Sequence, residues 1–197
     1  MTQNPLQPLI QEFSRLPGVG EKSAQRLSFF FLSLPLSEIQ KFAAILINTR
    51  QKIQFCDICF NIALSQTCHI CTDEGREKDK LCLVAEPKDV FSLEKTQEFK
   101  GRYHVLGGLL SPIQGIHPEM LRIKELIYRL KSNPIQELIF AINPTIEGEA
   151  TILFLKDVLK PYSLTLSKLA YGLPIGSDMD YADPLTLKRA LSGRGML

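Results

Sequence analysis

Four cysteines constrain this chain more than any other feature. Cys56, Cys59, Cys68 and Cys71 follow the spacing C-x₂-C-x₈-C-x₂-C. Each tight pair can wrap one side of a metal ion, and the short spacer brings the two pairs together. Zinc prefers four tetrahedral sulfur ligands in a structural site. Such a site has no open coordination position, so it folds a loop and does not catalyse. Four free thiols in a reducing compartment are the other reading of these residues, and the doubled spacing argues against it. His69 lies inside the second pair and competes as a ligand, but the regular spacing favours the four sulfurs. The expectation is one structural zinc per chain.

The remaining composition fits a packed protein. The chain has 197 residues, 45% hydrophobic and 22% charged, enough for one α/β domain with smaller appendages. No apolar run approaches the roughly 20 residues of a membrane span. Met1 to Pro8 carries no basic stretch followed by an apolar core, so no export signal and a cytoplasmic location are expected. Reduced cysteines favour metal over disulfides there. Cys82, in an apolar run, reads as a buried small hydrophobe. The formal net charge is +2, yet residues 1–54 alone carry six Lys or Arg against three Glu. That basic bias is compatible with nucleic acid.

Hydrophobic periodicity orders the elements. Leu6, Leu9, Ile10 and Phe13 mark a first amphipathic helix. Leu16-Pro17-Gly18-Val19-Gly20 breaks it, and a second helix runs from Glu21 with Ala24, Leu27 and Phe31 on one face until Pro35. Ser37 with Gln40 predicts a capping box for a third helix that carries Ile39, Phe42, Ala43 and Leu46. The charged stretch from Asp73 to Lys80 reads as a linker. Strands are then predicted at Leu81–Ala85, Tyr103–Leu106, Leu138–Ala141 and Leu164–Leu169. Helices are predicted at Asp89–Thr96, from Pro118 through Leu130, at Glu149–Leu159 and at Pro184–Leu191. Strands alternating with helices predict a parallel sheet covered on both faces. The modules expected are an N-terminal helical domain over 1–54, a cysteine loop over 55–78, a parallel α/β domain over 79–173 and a C-terminal segment over 174–197.

Two motifs carry chemistry beyond the cysteines. Leu16 through Ala24 resembles a helix-hairpin-helix signature, in which Gly18 and Gly20 allow a tight hairpin. A helix N-terminus attracts phosphate. Lys22 and Arg26, four residues apart, share one helix face and can grip neighbouring phosphates without reading sequence. An ordinary glycine-rich turn with solvated charges is the competing reading. Glu147 and Glu149 follow the third strand of the α/β domain, at the edge where such folds place their sites. They read equally as magnesium ligands or as acids favoured by a helix N-terminus. Asp178, Asp180 and Asp183 read as turn and capping residues. No G-x-x-x-x-G-K-[ST] or H-E-x-x-H motif occurs, which argues against a P-loop ATPase and a zinc peptidase. Ser111 sits in no nucleophile elbow.

The order of these modules resembles the RecR family of bacterial recombination mediators. The strings Gly101-Arg102-Tyr103-His104-Val105-Leu106-Gly107-Gly108, Ser111-Pro112, Asn143 through Thr151, Gly172-Leu173-Pro174 and Tyr181-Ala182-Asp183 carry the resemblance, which covers nearly the whole chain. It implies a Toprim fold and a protein without catalytic activity. It also implies work with RecO and RecF in gap repair, helping to load RecA onto single-stranded DNA coated by its binding protein. It implies a ring-like tetramer, or a dimer, built by exchange of terminal segments, in a cytoplasmic and nucleoid-associated setting. The family's DNA-binding positions match Lys22 and Arg26 beside Gly18 and Gly20, its zinc ligands match the four cysteines, and its partner-binding acidic loop matches Glu147 and Glu149. Toprim enzymes carry a glutamate where Ala85 stands, with Glu86 one residue later, and an Asp-x-Asp where Ala141-Ile142-Asn143 stands. Both losses weaken metal-dependent phosphoryl chemistry. The alternatives are a Toprim nuclease or primase, and an assembly scaffold without direct DNA contact.

Overall fold

The computed structural model describes residues 4–194, which fall into two compact units, 4–53 and 54–194. The first three and last three positions of the expected terminal modules lie outside the described residues.

The first unit is helical. Helix α1 (Gln7–Ser14) packs on α2 (Glu21–Ser33), and α3 (Leu36–Lys52) follows. Ala24 and Ser28 are fully buried. Their small side chains occupy one stripe of α2, and the Ser28 hydroxyl donates to the Ala24 carbonyl at 2.9 Å, so burying it leaves no polar group unpaired. Phe31 stacks between Phe13 and Phe42, with ring centroids 5.2 and 5.4 Å away. The predicted capping box at Ser37 does not form. Pro35 is the N-cap of α3, and its carbonyl already accepts from Glu38 and Ile39, which places Ser37 inside the first turn. Helix α3 has no buried residue. Phe29, Phe30, Phe42, Ile45 and Leu46 are all about half exposed.

The second unit begins with a small hairpin, β1 (Gln54–Phe55) antiparallel to β2 (Ile62–Ala63), followed by one turn of helix, α4 (His69–Thr72). The α/β portion then follows: β3 (Lys80–Val84), α5 (Pro87–Glu94), β4 (Arg102–Val105), α6 (Ile123–Ser132), β5 (Glu137–Ala141), α7 (Ile146–Leu159), β6 (Thr165–Lys168) and α8 (Pro184–Ser192). The strands form one parallel sheet in the order β4-β3-β5-β6. The strand alternation sorts the core into two layers. Leu81, Leu83, Leu138 and Phe140 meet Leu126 and Leu130 of α6 and Ile152 and Leu155 of α7. Cys82, Val84, Tyr103 and Val105 meet Val90 of α5 and the four loop cysteines. Both faces are covered as expected, but the second by α5 together with the cysteine loop. Cys82 is buried as expected, and burial pushes its thiol up to about 12.

Several boundaries differ from the sequence reading, among them the start of α7, at Ile146 rather than Glu149. Helix α5 starts two residues before Asp89 because Glu86 and Asp89 cap each other's backbone. It ends before Gln97, whose φ of 56° is left-handed. Pro118 opens only a 3₁₀ turn, Pro118–Met120. The chain extends at Leu121 so that Arg122 can donate to the Leu106 carbonyl at 2.9 Å, and α6 starts afresh at Ile123. The Asp73–Lys80 stretch is pinned rather than loose. Arg76 holds Glu94 at 2.5 Å and donates to the Gly101 carbonyl at 3.1 Å, and the Tyr103 hydroxyl donates to the same Glu94 at 2.7 Å.

Candidate metal centre and nucleic-acid interface

The four cysteines converge. The β1–β2 hairpin presents Cys56 and Cys59, and Cys68 and Cys71 flank the start of α4. In the first pair the Phe60 N–H donates to the Cys56 carbonyl at 2.9 Å, with Phe60 held at a left-handed φ of 63°. In the second, the Cys71 N–H donates to the Cys68 carbonyl at 3.0 Å. These turns aim all four sulfurs inward. The ligand atoms lie within 4.8 Å of one another and all four residues are buried. Cys59 and Cys68 sulfurs are 3.5 Å apart, and the Cys68 N–H donates to the Cys56 sulfur at 3.3 Å. Hydrogen bonds from Cys59 and then Cys71 hold the Cys68 thiol well below the usual thiol range. Four buried sulfurs that converge, one of them already accepting a backbone N–H, fit a soft divalent cation. His69 is exposed and not part of the group.

The hairpin between α1 and α2 is a tight turn in which the Val19 N–H reaches the Leu16 carbonyl at 3.0 Å. Pro17 and Gly18 occupy its centre, and Gly18 has a φ of +80°, the arrangement of a type II turn. The two glycines serve different ends. A Cβ on either would meet nothing within 4 Å, so close packing is not the reason for them. Gly18 supplies the left-handed backbone, whereas Gly20 is an extended N-cap with no side chain over the helix end. The N–H groups of Glu21, Lys22 and Ser23 find no acceptor among the described residues. Lys22 and Arg26 are both exposed, and neither forms an ion pair among the described residues. Arg15, by contrast, is held by Glu12 at 3.0 Å.

The carboxyl edge of the sheet does not gather its acids. A cleft of about 340 Å³ opens there beside Ala85, Glu86, Asn143 and Glu147. Glu86 caps α5 and pairs with Lys88 at 2.6 Å, and Asp89 accepts the Glu86 N–H at 2.9 Å. Glu147 and Glu149 diverge, as helix neighbours two apart must. Glu147 lines the cleft, whereas Glu149 faces Arg189 of α8 at 3.8 Å. Among the described residues, the cysteines are the only group of three or more potential ligands that converges. Thr145 caps α7 through the Gly148 N–H at 3.1 Å. Gly148 is required there, since a Cβ would fall 2.1 Å from the Asn143 carbonyl oxygen.

The C-terminal segment docks through Tyr171, whose ring lies 4.7 Å from the Lys168 ammonium and 5.4 Å from the Arg189 guanidinium. Sequence reasoning passed over this cluster, although a Lys-x-x-Tyr beside a basic helix was its signal. The aspartates behave as expected: Asp178 accepts from the Asp180 N–H, and Asp183 caps α8 through Leu185 and Thr186.

Comparison with known proteins matches three stretches of the chain. Residues 6–50 match the family described as RecR, helix-hairpin-helix, residues 79–170 match the Toprim domain, and residues 172–194 match RecR, C-terminal. The chain is 49% identical over 197 residues to the recombination protein RecR of Acidothermus cellulolyticus, covering 100% of this chain and 99% of the relative. It is 48% identical to that of Rippkaea orientalis, covering 96% of each. The chain belongs to the RecR family. The RecR helix-hairpin-helix match spans the turn with Gly18 and Gly20 together with Lys22 and Arg26, and the Toprim match spans the parallel sheet. The cysteine loop lies between these two matched stretches, so its metal-holding character rests on its own geometry. No helix among the described residues is long and apolar enough to cross a membrane.

Proposed function

We propose that this protein is a recombination mediator in DNA repair that binds DNA without reading its sequence and has no turnover of its own. One observation carries the reading: an uncapped helix N-terminus, opened by Gly20, with Lys22 and Arg26 unpaired one turn apart beside it. Backbone N–H groups and two free cations at that spacing suit successive phosphates. The relatives are named recombination protein RecR, which supports a role in recombination.

The rest of the reading follows from the family. RecO and RecF are its partners, and together they help RecA displace the single-stranded DNA-binding protein in gaps, in the cytoplasm at the nucleoid. Glu147, in the cleft at the sheet edge, is the acidic group placed to meet a partner, and Glu149 acts by holding Arg189. The exposed apolar surface of α2 and α3 supports a homo-oligomer, dimer or tetramer, that covers it. The metal is one structural zinc on Cys56, Cys59, Cys68 and Cys71, since four sulfurs in a closed set suit zinc. Its part is to hold the loop against the sheet. Absence of turnover is supported by Ala85 at the strand end, Asn143 after β5 and the commitment of Glu86 to Lys88 and to the cap of α5.

The test is RecA filament assembly on single-stranded DNA coated with its binding protein, with RecO present. Addition of this protein is expected to raise the assembly rate. An unchanged rate, with DNA and RecO binding both demonstrated, contradicts the mediator reading.

A further inference from the structure

Arg129 of α6 is only 7% exposed. Among the described residues it has no carboxylate partner, and its one side-chain hydrogen bond runs from a guanidinium nitrogen to the Tyr103 carbonyl at 2.5 Å. A buried guanidinium without a counter-charge is strongly unfavourable. Arg102 adds to the imbalance: it opposes Arg129 electrostatically, and its own buried Nε lacks a partner.

The four-cysteine loop docks on the same sheet edge. Strand β4 is an edge strand. The Tyr103 carbonyl and the Val105 N–H, two residues apart, both point out from its free side. Arg129 takes the first, and the Cys59 carbonyl takes the second at 2.8 Å. Tyr103 packs in the same apolar cluster as all four cysteines. Burial pushes the Arg129 pKa down, and the thiols of Cys71, Cys59 and Cys56 pull against it. Four thiolates around a divalent cation make a dianion, which in a buried place needs positive charge nearby as much as Arg129 needs negative.

We propose that Arg129 is the charge-balancing residue of the four-cysteine metal centre, held in place by the Tyr103 carbonyl and joining the metal loop to helix α6. This rests on the reading that the cysteines hold a divalent metal. Metal and Arg129 then stabilise each other, so a neutral side chain at 129 weakens metal retention although no ligand is altered.

Zinc-loaded full-length protein mixed with excess chromogenic chelator reports the rate of zinc release. Arg129→Gln keeps a donor for the Tyr103 carbonyl and removes the charge. It is expected to release zinc at least about tenfold faster than wild type, in the range seen when outer partners of metal ligands are lost. Arg129→Lys keeps the charge and is expected to stay within about threefold of wild type. Release from Arg129→Gln at the wild-type rate overturns the proposal. So does equally fast release from both folded variants, which would assign Arg129 a role of shape alone. If Arg129→Gln does not fold, Arg129→Lys decides: zinc held as in wild type supports the charge role, and rapid loss overturns it. Wild-type protein without bound metal overturns the metal reading itself, whereas metal-bound wild type with an unaffected Arg129→Gln overturns only the role of Arg129.

Discussion

The Cys59 carbonyl accepts the backbone N–H of Val105 at 2.8 Å. Through this bond the first cysteine pair docks on the free edge of β4, which otherwise presents unpaired groups to a wrong neighbour. The cysteine loop is thereby part of the α/β core, not an appendage beside it.

Loss of a ligand is therefore expected to reach the sheet. Purified protein is expected to carry about one zinc per chain, as one closed four-ligand site implies. Cys71→Ser is expected to lose the metal and to lower the melting temperature of the α/β unit, because metal binding is coupled to folding. Elemental analysis and thermal unfolding check both. Metal-free protein prepared without chelator, or a Cys71→Ser variant that melts like wild type, contradicts the account.

His104 ties stability to pH. It is fully buried on β4, its Nε2 donates to the Arg122 carbonyl at 2.8 Å, and its Nδ1 has no partner. Burial pushes its pKa down to about 4 from 6.5. Between those values the unfolded chain binds a proton that the folded one refuses, so the stability held above about pH 6.5 is lost as pH falls toward 4. The difference is about 3 kcal/mol at 1.36 kcal/mol per pKa unit. His104→Gln keeps a donor and does not titrate. Its stability deficit relative to wild type is expected to shrink by that amount between pH 7 and pH 4 in denaturant titrations. A constant deficit contradicts the assignment.

Nuclease, primase and topoisomerase assays with magnesium or manganese are expected to show no turnover. Ala85 and Asn143 bring no acid to the cleft at the sheet edge, and Glu147 and Glu149 point apart. Cleavage that co-purifies with the protein and disappears in Glu147→Ala contradicts this.

Much of the architecture was legible because it follows from apolar patterning. Leu81 to Val84 and Leu138 to Ala141 are continuous apolar runs, and such runs form strands when a sheet is buried on both faces. The cysteine spacing predicted a convergence that the structure shows. Other features depend on contacts between distant residues. The hairpin β1–β2 has two residues in each strand, too few to show a period. Glu86 and Asp89 outrank the apolar signal at the start of α5 by capping each other. Ser37 and Gln40 have the right spacing for a cap, but Pro35 had already begun the helix. Glu147 and Glu149 looked paired in sequence because spacing alone does not show that Arg189 draws one of them away. Arg129, on an amphipathic helix, reads as a solvent-facing charge until β4 and the cysteine loop are placed beside it.

Lys22, Arg26 and the bare N-terminus of α2 are expected to grip DNA through its phosphates. A salt titration of wild type and the Lys22→Ala, Arg26→Ala double variant on the same duplex tests this most directly. Wild-type affinity is expected to be insensitive to sequence. It is also expected to fall by about 0.9 log units per log unit of salt for each phosphate neutralised, with repeated sites in an oligomer adding avidity. The double variant is expected to bind every sequence more weakly and with a flatter salt slope, while its oligomer mass and zinc content stay unchanged. Unchanged affinity and slope in an intact oligomer would place the DNA surface elsewhere and contradict the account.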